Sequence, residues 1–162
     1  PFRMASGTSN TALHSALKKL ASTASPVVLS GLTISKLGRF FALTAQGDAS
    51  KLDALATFCV THLDEFRAPL NQAELTKRQK SNLNPAQKDN LVNWGYPYVL
   101  DQFRFHMTVT GPLDQTDQAK VQLCLEQHFK PFLHRPLAIN SICLVGEDAS
   151  GYFHLVSRFP LG

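Results

Sequence analysis

A strict alternation of apolar and polar side chains runs through one stretch of the sequence, Phe103-Arg104-Phe105-His106-Met107-Thr108-Val109-Thr110. Successive side chains of a β-strand point to opposite faces, so this period of two predicts a strand, which we expect to run from Gln102 to Thr110. The odd-numbered residues form an apolar face that would pack on a core, and the even-numbered residues form a polar face. Gly111-Pro112 ends the pattern.

Helical and strand-like patterns alternate on both sides of this stretch. Apolar residues spaced three and four apart predict helices from Ser9 or Asn10 to Ala21, from Ser50 towards Pro69, and from Thr116 to Phe129. Further strands are predicted over Val27 to Ile34, Arg39 to Ala45, Leu137 to Val145 and Tyr152 to Phe159. The polar stretch from Asn71 to Asn93 predicts two short helices, broken near Asn82 to Pro85. The order of elements indicates an α+β chain of two similar halves.

The composition limits the class of protein. The chain has 162 residues, of which 44% are apolar and 17% are charged, so it is long enough for one domain with its own core. No apolar run approaches the ~20 residues that cross a bilayer, and the N-terminal stretch lacks the apolar segment of a signal peptide. Three cysteines (Cys59, Cys124 and Cys143) lie in apolar runs without a metal-binding spacing, and we expect buried free thiols. We therefore expect a cytoplasmic protein that does not bind a membrane.

The net charge is a modest bias, which suits an anionic substrate and is also ordinary for a surface that binds nothing. It is +4, from 16 basic and 12 acidic residues, and the basic residues are scattered along the chain. The densest group, Lys77-Arg78-Gln79-Lys80, is typical of the polar end of a helix. A nucleic-acid platform would need a broader basic stripe with interleaved aromatic residues.

The polar face of the quoted stretch carries the residues with the clearest chemistry. His106 can exchange a proton near neutral pH, and the hydroxyl of Thr108, two residues on, points the same way. Together they can serve one phosphate group, with the ring as general acid or base and the hydroxyl on a non-bridging oxygen. The alternative is a row of polar side chains that faces water, which is common in antiparallel sheets.

A longer block around this strand, from Trp94-Gly95-Tyr96-Pro97-Tyr98 to Gly111-Pro112-Leu113, closely resembles one family. It is similar to the C-terminal motif region of a branch of the two-histidine (2H) phosphoesterase superfamily that is associated with phosphonate metabolism. The resemblance continues in Phe66-Arg67-Ala68-Pro69-Leu70, in Glu74-Leu75 followed by Arg78, and in Ser157-Arg158-Phe159-Pro160-Leu161. It therefore spans nearly the whole chain.

The resemblance implies a bilobal, LigT-like α+β fold with two pseudo-symmetric antiparallel sheets, flanking helices and a cleft to which each lobe contributes one His-x-Thr/Ser motif. We assign residues 1–70 to the first lobe, 71–98 to a helical excursion and aromatic connection, and 99–162 to the second lobe of a single bilobal domain. We expect the first lobe to be incomplete, because its motif would stand just before Pro1.

The activity that the resemblance implies is metal-free hydrolysis of a cyclic or small phosphodiester, with no cofactor. Two histidines exchange protons in this reaction, and two hydroxyls hold the phosphate. His106 and Thr108 correspond to the second motif. We further expect four side chains to contact the substrate: Arg67, Tyr96, Tyr98 and Arg104. The tyrosines would alternatively close one end of the sheet, and the arginines would alternatively have anchoring or solvent-facing roles.

Two other functions stay open on the sequence alone. One is a non-catalytic module that binds a phosphate or a nucleotide, and the other is a module that binds RNA ends, as LigT-like relatives handle RNA termini. A chain without the first motif has half of the catalytic pair, so we expect the fragment itself to be inactive and the longer protein to be a phosphodiesterase. The edge near Pro1 is expected to pair with another chain, and the oligomeric state is left open.

Overall fold

A computed structural model of the protein describes residues 2–79 and 82–162. The described residues form the helices α1 (Asn10–Thr23), α2 (Ser50–Leu63), α3 (Gln72–Gln79), α4 (Pro85–Trp94) and α5 (Gln115–Phe129). They form the strands β1 (Val27–Leu29), β2 (Gly31–Leu37), β3 (Phe40–Gln46), β4 (His106–Thr108), β5 (Leu137–Ile139), β6 (Ser141–Glu147) and β7 (Phe153–Pro160). Two short 3-10 helices cover Asp64–Phe66 and Leu100–Gln102. The strand pairs are antiparallel, which confirms the predicted α+β class.

The described strands pair as three sheets rather than the two that the resemblance implies. β1 pairs with β5, β3 lies between β2 and β4, and β6 pairs with β7. The predicted strand from Val27 to Ile34 is broken at Ser30, because its two parts pair with different strands. The predicted strand from Leu137 to Val145 is broken at Asn140 for the same reason. Each of these two stretches of sequence therefore contributes strands to two different sheets.

The contacts divide the chain into two compact units, each built from separate segments. Unit 1 consists of Pro1–Pro26, Asp53–Phe103 and Asn140–Gly162, and unit 2 consists of Val27–Leu52 and Arg104–Ile139. Unit 1 contains α1, α3, α4 and the β6–β7 hairpin, whereas unit 2 contains the sheet β2-β3-β4 and α5. The lobe boundaries at residues 70 and 98 stay a prediction about the family fold.

Helix α1 supplies part of the core of unit 1. Ser9 is its N-cap, and the Ser9 hydroxyl accepts a hydrogen bond from the backbone N–H of Ala12 at 3.1 Å. Three leucines spaced three and four residues apart lie on the buried face of the helix: Leu13, Leu17 and Leu20. This face packs against the β6–β7 hairpin, as an amphipathic helix is expected to do.

The polar stretch forms two short helices, as predicted. Asn84 caps α4 through a capping box with Gln87, in which each side chain accepts a hydrogen bond from the other residue's backbone N–H. The helix ends at Gly95, whose φ of 70° lies in the left-handed region. Lys80 of the predicted basic group and the predicted pairing edge at Pro1 lie outside the described residues.

Helix α2 ends earlier than predicted. It stops at Leu63 instead of continuing towards Pro69, because Asp64–Phe66 tighten into a 3-10 turn in which the N–H of Arg67 bonds to the carbonyl of Asp64 at 3.0 Å. Arg67 then adopts an extended backbone and forms an antiparallel bridge with Met4. The N-terminal segment is thereby attached to the end of α2.

The three-stranded sheet of unit 2 has one apolar and one polar face. On the apolar face, Leu32 and Leu43 form a buried cluster with Leu133, and Phe105 and Val109 pack against it. The opposite face, called the polar face below, carries hydroxyl groups and one imidazole from the three strands: Thr33, Ser35, Thr44, His106 and Thr108. The alternation that the sequence predicts for β4 is thus present.

Strand β4 is nevertheless shorter than predicted. The N–H of Phe103 bonds to the carbonyl of Leu100 at 3.0 Å, and Leu100 has a φ of 53°, so the backbone before Arg104 turns away from an extended path. Met107, predicted on the core face, is 40% exposed. The reason is that β4 is an edge strand with β3 as its neighbour and only three residues in the ladder.

Two expectations from composition have different outcomes. The three cysteines are free thiols, but Cys124 and Cys143 are exposed and Cys59 is only partly buried, so the prediction of buried thiols is wrong for two of them. Cys124 lies on α5, none of whose residues is buried, and Cys143 lies on the two-stranded hairpin. Within residues 2–79 and 82–162, we find no helix with the length and apolar character that a membrane span requires.

The structure resolves which of two candidate residues caps α1, and this can be tested. Ser9→Ala should lower the free energy of unfolding by about 1 kcal/mol, because the N–H of Ala12 loses its acceptor. Asn10→Ala, a change at the first helical residue, should alter it by less than about 0.5 kcal/mol. Urea denaturation followed by circular dichroism measures both values, and equal losses would contradict the assigned cap.

Candidate functional site

The polar face of unit 2 arranges its side chains in two rows across the sheet. Thr33 is paired with Thr44, and Thr44 is paired with His106, so these three form one row. In the next row Ala42 lies between Ser35 and Thr108. Neighbouring strands lie about 4.8 Å apart, and side chains two residues apart on one strand lie about 7 Å apart. His106 and Thr108 therefore border a patch of hydroxyl groups from two other strands.

A hydrogen bond to the main chain fixes the tautomer of His106. Its Nδ1 lies 2.8 Å from the carbonyl oxygen of Arg104. Because a carbonyl oxygen only accepts, Nδ1 carries a hydrogen and donates it, which leaves Nε2 as the nitrogen that gains or loses a proton. The ring is exposed, and its centroid lies 6.2 Å from that of the Phe40 ring. Nε2 is thus able to exchange a proton with a bound molecule.

The remaining side chains of this face differ in availability. Thr108 is exposed, whereas Thr44 is buried and its hydroxyl lies 2.6 Å from that of Ser35. The hydroxyl of Thr110 accepts the N–H of Phe41 and donates to the Gly111 carbonyl, so it serves the backbone. Arg104 is exposed just before β4 and contributes its carbonyl to the orientation of His106. Thr108 is therefore the exposed hydroxyl beside the imidazole on this strand.

A second candidate site, called the arginine pocket below, lies within unit 1. It is a cavity of about 440 Å³ whose walls include Arg3, Arg67, Arg78, Trp94 and Tyr96. Two of the predicted substrate-contacting residues, Arg67 and Tyr96, thus line one cavity. Tyr98 contacts the edge of the Tyr96 ring at 5.7 Å between centroids. A volume of this size is typical of sites for small molecules.

Arg67 is held firmly at the wall of this pocket. Its Nε donates to the Asp64 carboxylate at 2.7 Å, and its Nη2 donates to the carbonyl of Asn93 at 3.1 Å. Gly95 makes room for the guanidinium, because a Cβ at that position would stand 2.7 Å from Nη1 of Arg67. The position of the Arg67 guanidinium therefore requires a glycine at position 95, at the end of α4.

Arg3 and Glu74 form the second ion pair of the pocket. Nε and Nη2 of Arg3 each donate to one Glu74 carboxylate oxygen at 3.0 Å, and Nη2 also donates to the carbonyl of Pro69. This pairing, with a further bond from the N–H of Asn71, lowers the pKa of Glu74 to about 2, while it raises the pKa of Arg3. Local sequence patterns do not single out Arg3, because its partner lies 71 positions away.

Arg78 meets the pocket in a different way. Its guanidinium carbon lies 5.0 Å from the centre of the Tyr96 ring, within the range of a cation–π contact. No carboxylate of the described residues lies within salt-bridge distance of it. Its position one helical turn after Glu74 on α3 is the local signal that relates it to the pocket.

The other five histidines have partners of their own. His62, His134 and His154 lie within hydrogen-bond distance of Phe58, Gln46 and Asp148, and His14 and His128 pack edge-on against Phe159 and Phe129. The contact with His154 lowers the pKa of Asp148. Among residues 2–79 and 82–162, no group of three or more His, Cys, Asp or Glu side chains is arranged to hold a metal ion.

Comparison with known proteins gives one family and two curated relatives. Residues 1–154 match the family described as "Protein of unknown function (DUF1045)". A ribose 1,5-bisphosphate phosphokinase PhnN from Janthinobacterium sp. (strain Marseille) is 34% identical over 155 residues, and a protein of the same name from Laribacter hongkongensis (strain HLHK9) is 31% identical over 153 residues. Each match covers 93% of this chain and 34% of the relative. The chain therefore spans about a third of the length of the curated relatives it matches.

The low pKa of Glu74 predicts how the stability of unit 1 depends on pH. The folded value of about 2 lies below the ordinary 4.5, so the ionised carboxylate stabilises the fold above the ordinary value and this contribution is lost as the pH falls towards 2. Glu74→Gln should therefore lower the melting temperature at neutral pH, and the difference from wild type should close in acid. Thermal melts over this pH range measure it, with the exposed Glu147→Gln as the control. A difference that stays constant with pH would contradict the assignment.

The fit between Gly95 and Arg67 can be tested against a glycine with open surroundings. Gly7 has a φ of 82°, and a Cβ added there would have nothing within 4 Å. Gly7→Ala should therefore lower the free energy of unfolding by only about 1 kcal/mol, the cost of placing a side chain on a backbone with positive φ. Gly95→Ala should lower the free energy of unfolding by about 1 kcal/mol more than Gly7→Ala does, because the new methyl group displaces Arg67 from Asp64. Urea denaturation measures both losses, and equal values would show that the contact is unimportant.

Proposed function

Because the chain belongs to the DUF1045 family, whose description names no activity, we propose a function from the chemistry of its polar face. The chain is the part of a phosphoesterase that supplies His106 and Thr108 for the hydrolysis of a cyclic or small phosphodiester. The observation that carries this proposal is the bond from Nδ1 of His106 to the Arg104 carbonyl, since it leaves Nε2 for proton exchange on the sheet face that also carries the exposed Thr108. The resemblance to two-histidine phosphoesterases supports the same reaction.

The proposed reaction divides the work between these two side chains. Water attacks phosphorus, one phosphorus–oxygen ester bond breaks, and the leaving oxygen takes up a proton. Nε2 of His106 either accepts the proton of the attacking water or, when protonated, donates to the leaving oxygen. The Thr108 hydroxyl donates to a non-bridging oxygen, on which negative charge increases. His106 is one of the two proton carriers that this mechanism uses.

The proposed substrate is a cyclic or small phosphodiester of a sugar. The two curated relatives are named for ribose 1,5-bisphosphate, and the PhnN of their name is in keeping with the link to phosphonate metabolism that the resemblance implies. We assign the phosphokinase of that name to the two thirds of these relatives outside the match. The phosphate-binding spacing Gly-x-x-x-x-Gly occurs once here, at Gly146 and Gly151, and Tyr152 follows it instead of Lys-Ser or Lys-Thr.

The test is hydrolysis of ribose cyclic phosphates and 2′,3′-cyclic nucleotides by the full polypeptide that carries this chain. His106→Gln should reduce kcat by a factor of about 10² to 10⁴, because proton transfer at Nε2 is lost. His128→Gln, a change at an exposed histidine of α5, should leave kcat within about twofold of wild type. Circular dichroism verifies that both variants are folded.

Two results would overturn the proposal. One is a wild-type polypeptide that hydrolyses none of these esters, which would favour a module that only binds phosphate. The other is unchanged turnover in His106→Gln, which would remove this ring from the reaction.

A further inference from the structure

We propose that the arginine pocket of unit 1 binds a small oxyanion, a phosphate or carboxylate group, that is attached to a ring. The proposal uses residues of unit 1 alone, so it holds whether or not His106 hydrolyses an ester. The pocket combines fixed guanidinium groups with an aromatic and aliphatic wall. Such a combination recognises both parts of an amphiphilic anion.

The charges around the pocket leave an excess of one positive group. Its walls carry the guanidinium groups of Arg3, Arg67 and Arg78 and the carboxylates of Asp64 and Glu74. Each carboxylate is bound by one arginine, Asp64 by Arg67 and Glu74 by Arg3. Arg78 lies against the Tyr96 ring and has no such partner within residues 2–79 and 82–162. The pocket therefore has the charge to attract one anionic group.

Arg67 offers a donor that the protein does not use. Nε and Nη2 are bonded to Asp64 and to Asn93, whereas Nη1 has no hydrogen-bond partner among the described residues. The part of the chain that the structure describes contains no fully buried side-chain nitrogen or oxygen without a partner, so Nη1 keeps some contact with solvent. Because the Asp64 carboxylate and the Asn93 carbonyl hold the guanidinium, an oxyanion could bind to Nη1 without reordering the side chain.

The rest of the lining suits a ring. Trp94 and Tyr96 supply aromatic surface, and Leu70 and Val99 supply aliphatic surface. The Tyr96 ring already has the Arg78 guanidinium near one side, 5.0 Å from its centre. A ring bound beside Tyr96 would be close to both an aromatic surface and a cation.

The fluorescence of Trp94 can report binding to this pocket, because Trp94 lines the pocket and is the only tryptophan of the sequence. The chain is titrated with phenyl phosphate and with benzoate, and Trp94 emission is recorded. We expect a saturable change with at least one of them. Phenol has only the ring and inorganic phosphate has only the oxyanion, so each should bind at least about tenfold more weakly. Phenyl phosphate and benzoate together distinguish a phosphate site from a carboxylate site.

Two variants on one helix identify the pocket as the place of binding. Arg78→Gln should lower the affinity for whichever of the two compounds binds more tightly by about tenfold, because it removes a charge and the contact with Tyr96. Lys77→Gln removes the same charge from the neighbouring exposed position and should change affinity by less than about twofold. Tyr96→Leu is a second pocket variant for the case that Arg78→Gln does not fold, and it should weaken binding similarly.

The proposal is overturned if neither compound gives a saturable change, or if the folded pocket variant binds as tightly as Lys77→Gln. His106→Gln separates it from the proposed hydrolysis. That variant should lose turnover in the full polypeptide and yet leave the Trp94 titration of the chain unchanged, because no lining residue of the pocket belongs to unit 2.

Discussion

The register of β3 between its two neighbours is the constraint on which the polar face of unit 2 depends. Thr44 is paired with Thr33 on one side and with His106 on the other, so a single strand determines which hydroxyl groups share a face with the imidazole. A slip of β3 by one residue would exchange the two faces of that strand and place Leu43 on the face where Thr44 now lies. The cluster of Leu32, Leu43 and Leu133 opposes such a slip, because it would lose its burial.

A different kind of constraint organises unit 1. The charged groups of the arginine pocket come from the N-terminal segment, the turn after α2 and helix α3, and α4 ends against them at Gly95. Ion pairs between exposed side chains contribute little stability, so the geometry of these groups matters more than their energy. Arg67 is the better fixed of the paired arginines, since its side chain is only 17% exposed and the Asn93 carbonyl binds it as well.

Local patterns in the sequence account for much of this arrangement. Spacing predicts α1 and its buried leucines, the helix break before Asn84, and the alternation that puts His106 and Thr108 on one face. Partners distant in sequence account for what could not be predicted. Ser30 divides a run whose halves pair with β5 and β3, Leu100 adopts a positive φ, and Arg3 meets Glu74 across 71 positions. None of these three leaves a periodic signal, because each depends on residues that local spacing does not sample.

The acceptor that orients His106 belongs to the main chain and not to a side chain. Every amino acid at position 104 presents the same carbonyl, so the identity of that residue is free to vary while the imidazole keeps its tautomer. Natural or engineered diversity at this position would then change the side-chain charge near the imidazole, while the main-chain acceptor and the tautomer stay the same. Position 104 is accordingly a point at which the side chain can be exchanged while the orientation of the neighbouring ring is kept.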